Sequence, residues 1–191
     1  MSEFLVKDGF KCDRQSKYDF TATTVNYLSK INKPLKVIFK EFDKKGNIVD
    51  FDSPDSYEQS PIDLKMYMEI DGKNIEYNVE LKERWNKYNS NYYGKENDSE
   101  GWVLNIDKVQ AFNKLNGIPL YVNLYPDKIV RIWNLDKINS FNTITKYIAD
   151  QTVKKSKKSD KDRYEVWNKD SKVLIRYKGN KSNGIWNNHL I

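Results

Sequence analysis

The chain has one cysteine and one histidine in 191 residues, and each scarcity closes off a class of chemistry. Cys12 alone can form no intramolecular disulfide and no zinc site built from several cysteines. His189 lies beside the C-terminus, so a Ser-His-Asp or Cys-His mechanism would have to use a terminal residue, and histidine-based metal clusters are excluded. Any metal must therefore be held by oxygen ligands, which selects Mg²⁺ or Mn²⁺ over Zn²⁺. Long apolar runs are also missing: nothing approaches the roughly 18 residues that read as a spanning helix. The opening stretch MSEFLVKDGFKCDRQSK carries charges every few residues and has no apolar signal-peptide segment. These absences predict a soluble, cytoplasmic protein with no membrane partner. Richness in Lys, Asn, Ile and Tyr suggests an AT-rich coding genome, such as that of a bacterium or its phage.

What is present is polar and aromatic. Apolar residues make up 38% and the mean hydropathy is −0.84, yet 14% of residues are aromatic, which disordered chains are not. A chain of this length buries roughly 70% of its unfolded surface. One domain over residues 1–191 is expected, with a core about 18–135. The net charge of +6 is uneven: residues 151–191 hold 11 Lys/Arg against 4 Asp/Glu, leaving 22 against 23 in the first 150. This basic C-terminal extension could contact a polyanion, although a solvated lysine-rich surface would give the same counts.

Residues 18–31 place Phe20, Tyr27, Leu28 and Ile31 on one helical face, with Asp19 as the expected cap and Asn32-Lys33-Pro34 as the stop. PLKVIFKEF and NIVDFD flank a turn at residues 43–46. A second helix is expected over 103–116, two strands around Pro126-Asp127, a short helix near 140–149, and two late strands, RYEVWN and KVLIRYK. Residues 86–101 and the basic run KKSKKSDKD read as loops.

The most informative stretch is DLKMYMEI-Asp71-Gly72-KNIEYNVELK. Alternate strand residues share a face, so Leu64, Met66, Met68 and Ile70 oppose Ile75, Tyr77, Val79 and Leu81 on the apolar side. Asp-Gly is the strongest short signal for a two-residue type I′ turn. It pairs Ile70 with Lys73, and so Leu64 with Val79 and Asp63 with Glu80. Lys82 follows on the same face. A turn centred one residue later would bring Asp63 opposite Lys82 and keep the cluster. Like charges directly opposite are destabilising, so the Asp63/Glu80 pair calls for a cation, supplied either by a metal or by Lys82 as a structural counter-ion.

Asp63, sixteen residues, then Glu80-Leu81-Lys82 resembles the PD-(D/E)xK nuclease superfamily, with Pro61-Ile62-Asp63 as its loose P-D half. The resemblance implies an α/β restriction-endonuclease-like fold: a mixed central β-sheet flanked by helices, continued by a crossover helix and the strand GIPLYVNLY. It implies that Asp63, Glu80 and the Leu81 carbonyl hold Mg²⁺ (or Mn²⁺), that Lys82 positions or helps deprotonate the attacking water, and that Lys108 reaches the phosphate. Lys108 otherwise reads as a lysine snorkelling past the stripe of Leu104, Ala111, Phe112 and Leu115. Many members carry a glutamate on the first helix. Here the inward face offers Thr24, which leaves a second metal in doubt.

The implied activity is hydrolysis of phosphodiester bonds in DNA, with RNA or branched DNA as further candidate substrates. Arg84 and Trp85 could stack on and contact substrate, and Lys154, Lys155, Lys157 and Lys158 could track the phosphate backbone. Trp133, between Arg131 and the next strand end, reads as core. One active site per chain makes a homodimer one way to cut both strands. The rival readings are a catalytically silent nucleic-acid-binding member of the same fold, and a phage or mobile-element interaction or structural protein.

Overall fold

In chain order the elements of the computed structural model are α1 (Ser2–Leu28), β1 (Leu35–Phe42), β2 (Ile48–Asp50), β3 (Leu64–Ile70), β4 (Lys73–Glu83), β5 (Gly101–Asn105), α2 (Ile106–Asn113), β6 (Ile118–Leu124), β7 (Ile129–Asn134), β8 (Asn142–Ile148), β9 (Asp160–Trp167), β10 (Lys172–Ile175) and β11 (His189–Leu190). The structure describes residues 2–31, 35–84, 101–125, 129–137, 142–148, 160–181 and 189–190. Among them no helix is long and apolar enough to cross a membrane.

Asp71 and Gly72 take φ of 51° and 72°, the pair of left-handed residues that a type I′ turn requires. The hairpin register follows from it: Ile70 faces Lys73, Met66 faces Tyr77 and Leu64 faces Val79. β1 lies antiparallel to β3, and β2 folds back on β1 through a turn in which Asp43 Oδ1 accepts the N–H groups of Lys45 and Asn47 at 2.8 Å each. On its other side β4 pairs parallel with β6, setting Glu80 beside Tyr121 and Lys82 beside Asn123. The result is an eight-stranded mixed sheet in the order β10-β7-β6-β4-β3-β1-β11, with β2 on β1. A parallel pair needs a crossover, and α2 lies on the one between β4 and β6.

The hydrophobic pattern sorts onto two sides of this sheet. Phe20 and Leu28 of α1 pack with Val37, Phe39, Met66, Val79, Leu81 and Val122. A second cluster joins Ile62, Leu104, Phe112, Tyr121, Trp133 and Val166. Trp133 is fully buried, 5.6 Å from the Tyr121 ring, as core rather than as a stacking platform.

Three expectations are corrected. The first helix starts at Ser2, not near residue 18, and Asp19 does not cap it. Asp19 lies inside the helix and is buried, and its carboxylate accepts from Arg176 Nε and from the Gly179 N–H at 2.9 Å each. The segment hid its helical character because Arg14 and Lys17 point inward to buried carboxylates rather than outward to water. The expected 103–116 helix is shorter: Leu104 belongs to β5, which pairs with β9 before α2 begins. Residues 142–148 form a strand, not a helix, completing a three-stranded sheet in the order β5-β9-β8. Its run of Thr143, Ile144, Thr145, Tyr147 and Ile148 is β-branched and aromatic, which suits a pleated surface.

After β10 the chain forms a strap along α1. The Tyr177 N–H donates to Thr23 Oγ1 and Gln15 Nε2 donates to the Gly179 carbonyl, both at 2.9 Å. At Gly179 any Cβ would collide with the carbonyl of Tyr18, so only glycine lets the strap lie this close to the helix.

Candidate active site

Asp63 sits one residue before β3, where the loop over residues 51–63 enters the sheet. Its N–H donates to the Val79 carbonyl at 3.0 Å, which holds the residue in line with the strand. Its Oδ2 accepts the Leu81 N–H at 2.6 Å, so the side chain caps the edge of β4 where β3 has ended. Backbone groups two residues apart on a strand point the same way. The Leu81 carbonyl therefore opens on that same edge, two residues past the Val79 carbonyl that Asp63 occupies.

Glu80 is fully buried on the face shared with Asp63. Lys82 Nζ lies 2.6 Å from its Oε1, and Lys108 Nζ lies 2.9 Å from its Oε2. Both contacts are ion pairs, and neither carboxylate oxygen accepts a hydrogen bond of regular geometry. Lys108 Nζ also donates to the Pro61 carbonyl at 2.9 Å, reaching from the first turn of α2 to the loop that carries Asp63. The structure thus brings Asp63, Glu80, Leu81, Lys82 and Lys108 together. Lys108 does not snorkel away from the sheet.

Burial pushes the Glu80 carboxyl up to about 6, and the Asp63 charge adds to the rise against the opposing pull of Lys82 and Lys108. For Lys82 burial alone would lower the ammonium, but Glu80 and Asp63 outweigh it and hold the group above its ordinary value. In this arrangement the Lys82 ammonium is favoured by its two carboxylate neighbours.

A cavity of about 200 Å³ opens beside this group, lined by Asp63, Leu81, Lys82, Glu83 and Lys108 together with Ser16, Lys17, Glu58, Gln59 and Ser60. No sequence pattern pointed to the second set of residues. Lys17 is buried and bonds Glu41 Oε1 at 2.8 Å, with Glu58 Oε2 at 3.4 Å. Glu41 itself accepts from both Arg14 and Lys17, from the Asp52 N–H at 2.7 Å and from Ser56 Oγ at 2.9 Å. Arg176 clasps Asp19 and Glu83, tying α1 and the strap to the residue after Lys82. No spacing rule links positions 17, 41, 58 and 176, so only the fold could reveal them.

The donor set can be weighed for a metal. Two carboxylates and a carbonyl are hard oxygen ligands suited to Mg²⁺ or Mn²⁺, and the two buried Glu80 oxygens lack directed partners. Among the described residues no group of three or more His, Cys, Asp or Glu could hold an ion. Asp63, Glu80 and the Leu81 carbonyl are thus at most a partial ligand set, and water would have to fill the other positions of any ion held there. The first helix sends Ser16 and Lys17, not an acid, to the cavity, and Thr24 is buried away from it.

The predicted substrate contacts divide. Arg84 extends from the end of β4, but its Nη2 donates to the Tyr121 hydroxyl and it is half-buried. Trp85, Lys154, Lys155, Lys157 and Lys158 lie outside the described residues. Compared with known proteins, the chain matches no family model, no curated protein and no solved structure.

Proposed function

We propose that the protein is a Mg²⁺-dependent nuclease of the PD-(D/E)xK type that hydrolyses phosphodiester bonds in DNA. The observation that carries this reading is the convergence of Asp63, Lys82 and Lys108 at one cavity, with both lysines ion-paired to Glu80, fully buried behind them. The order of elements supports it: a helix, three antiparallel strands, a crossover helix and a strand parallel to the acid-bearing one. That is the arrangement the restriction-endonuclease-like resemblance calls for.

A bound divalent ion would supply Lewis acidity and an acidified water. The chain supplies the rest. Asp63, Glu80 and the Leu81 carbonyl would hold the ion. Lys82, kept charged by its neighbours, orients the attacking water and offsets charge building on the scissile phosphate. Lys108, in the first turn of α2, is within one side-chain swing of the same phosphate.

The test is cleavage of plasmid, branched and single-stranded DNA and RNA with Mg²⁺ or Mn²⁺. Wild type should cut, and Lys82→Ala should lose about 10²–10³-fold, the scale of removing one preorganised charge stabiliser. Equal cutting by the two proteins would refute the assignment. Glu80 must also be ionised to ligate, so at a fixed, subsaturating metal concentration kcat/KM should fall about tenfold per pH unit below about 6. A profile flat to pH 5 would remove Glu80 from the ligand set.

A second reading, a catalytically silent nucleic-acid-binding member of the fold, draws on one observation: the first helix offers the cavity a lysine and a serine where an acid would serve a second metal. DNA binding without cleavage under every metal condition would select it.

A further inference from the structure

The two lysines on Glu80 occupy the place where a cation belongs. Lys108 Nζ, at 2.9 Å from Glu80 Oε2 and 2.9 Å from the Pro61 carbonyl, is held by the acid-bearing strand and by the loop leading to Asp63. Neither carboxylate oxygen gains a directed hydrogen bond from this arrangement. The ammonium groups thus neutralise the buried charge without satisfying its lone pairs, as a stand-in for an ion would. Lys108 keeps about a quarter of its side chain exposed, at 24%, and lines the cavity, so its head can leave Glu80 without unpacking α2.

From this geometry we infer that Lys108 is a latch. With no metal bound it occupies the cation position against Glu80, and a divalent ion must displace it before the site is complete. The inference rests on the metal-dependent reading of the site, and adds that apo and loaded forms differ in where one lysine points. Displacement frees the ammonium to swing into the cavity, where the substrate's phosphate would take it. Entry of the ion and recruitment of a phosphate-binding charge become one event.

The latch makes a prediction opposite in sign to that for a simple phosphate contact. Lys108→Met keeps the stem's bulk and removes the charge that competes with the ion. Mn²⁺ binding to the full chain, read by electron paramagnetic resonance of free Mn²⁺ without nucleic acid, should tighten about tenfold, because a like charge a few ångströms away is removed. The Mn²⁺-induced rise in melting temperature should grow with it. Adding Asp63→Asn should abolish the gain, which locates the ion at this site. Unchanged or weaker Mn²⁺ binding by Lys108→Met overturns the latch, as does failure of both proteins to bind Mn²⁺. DNA cleavage by wild type tests the nuclease reading separately. A protein that cuts DNA while Lys108→Met binds Mn²⁺ no better is a nuclease without a latch.

Discussion

Asp63→Asn is expected to lower DNA cleavage by about 10³-fold while leaving the fold intact, because a metal ligand is worth several kcal/mol and each 1.36 kcal/mol is a factor of ten in rate. Both halves of the prediction follow from the two contacts of this residue. Asparagine keeps a carbonyl oxygen on the same stem, so the Leu81 N–H at 2.6 Å retains an acceptor and the edge of β4 stays capped. The backbone bond from the Asp63 N–H to the Val79 carbonyl is untouched. What goes is the negative charge, and with it one of the two carboxylates assigned to the ion. Removing it relieves Glu80, whose carboxyl is raised partly by the Asp63 charge, but also withdraws a charge that holds Lys82, so the variant's melting temperature should stay close to that of wild type. Cleavage assays run beside thermal melts check this. A variant that loses activity and melts well below wild type would mean that Asp63 acts by holding the hairpin end, not by ligation. A variant that cuts normally would remove it from the chemistry.

The largest expected effect on stability is at Glu41, which belongs to neither the motif nor the hairpin. Its carboxylate is 1% exposed and accepts from Arg14, Lys17, Ser56 Oγ and the Asp52 N–H. Burial on its own raises the carboxyl, but Lys17 and Arg14 outweigh it and hold the group below its ordinary value. Glu41→Leu leaves a buried ammonium with Glu58 and a half-buried guanidinium with Glu58 and the more distant Asp52, and should cost about 3–5 kcal/mol, the usual cost of breaking a buried ion pair from one side. Glu41→Gln, which keeps the shape and the bonds from Asp52 and Ser56, should cost less, about 1–3 kcal/mol.

The sign of the pH dependence follows from the depressed carboxyl. Its stabilisation is present above the ordinary value of 4.5 and is lost as acid protonates the folded state. Glu80 works in the opposite sense. Raised to about 6, it favours the folded state below 4.5 and loses that contribution as pH rises through 6. Wild type should therefore hold or gain slightly in stability from pH 7 to pH 5 and fall steeply below 4.5, while Glu41→Leu should lose the steep limb. Urea denaturation at pH 7, 5 and 3.5 reads both. A wild-type curve with no loss below pH 4.5 would show that the Glu41 cluster does not hold the first helix to the sheet.

That cluster also bears on function. Lys17 and Glu58 line the same cavity as Asp63, so the ion pairs that dock α1 shape the space into which a phosphate would enter. The strap through Arg176 and Gly179 fixes the same helix from outside and reaches Glu83, the residue after Lys82. The helix, the strap and the end of β4 are held by the same few charged groups.

The sequence by itself determined the hairpin and, through it, the site's three central residues. A two-residue Asp-Gly turn fixes register locally, from Ile70 on Lys73 to Leu64 on Val79, and a strand's period of two puts Glu80 and Lys82 on one face; Asp63 lies just outside that ladder and reaches β4 through the Val79 carbonyl and the Leu81 N–H. The same locality made β1, β2, β6 and β7 legible, since each is an apolar run bounded by turn residues. Where partners lie far along the chain, the reading failed. Leu104 fits a helical stripe until β9 pairs with β5, and Asp19 fits a cap until Arg176 and the Gly179 N–H arrive from more than 150 residues away. The full burial of Glu80, the wall of Lys17 and Glu58, and the contact of Lys108 with Pro61 were decided only by tertiary structure. Charge placed inward is indistinguishable in sequence from charge placed outward until an opposite charge from a distant segment is packed against it.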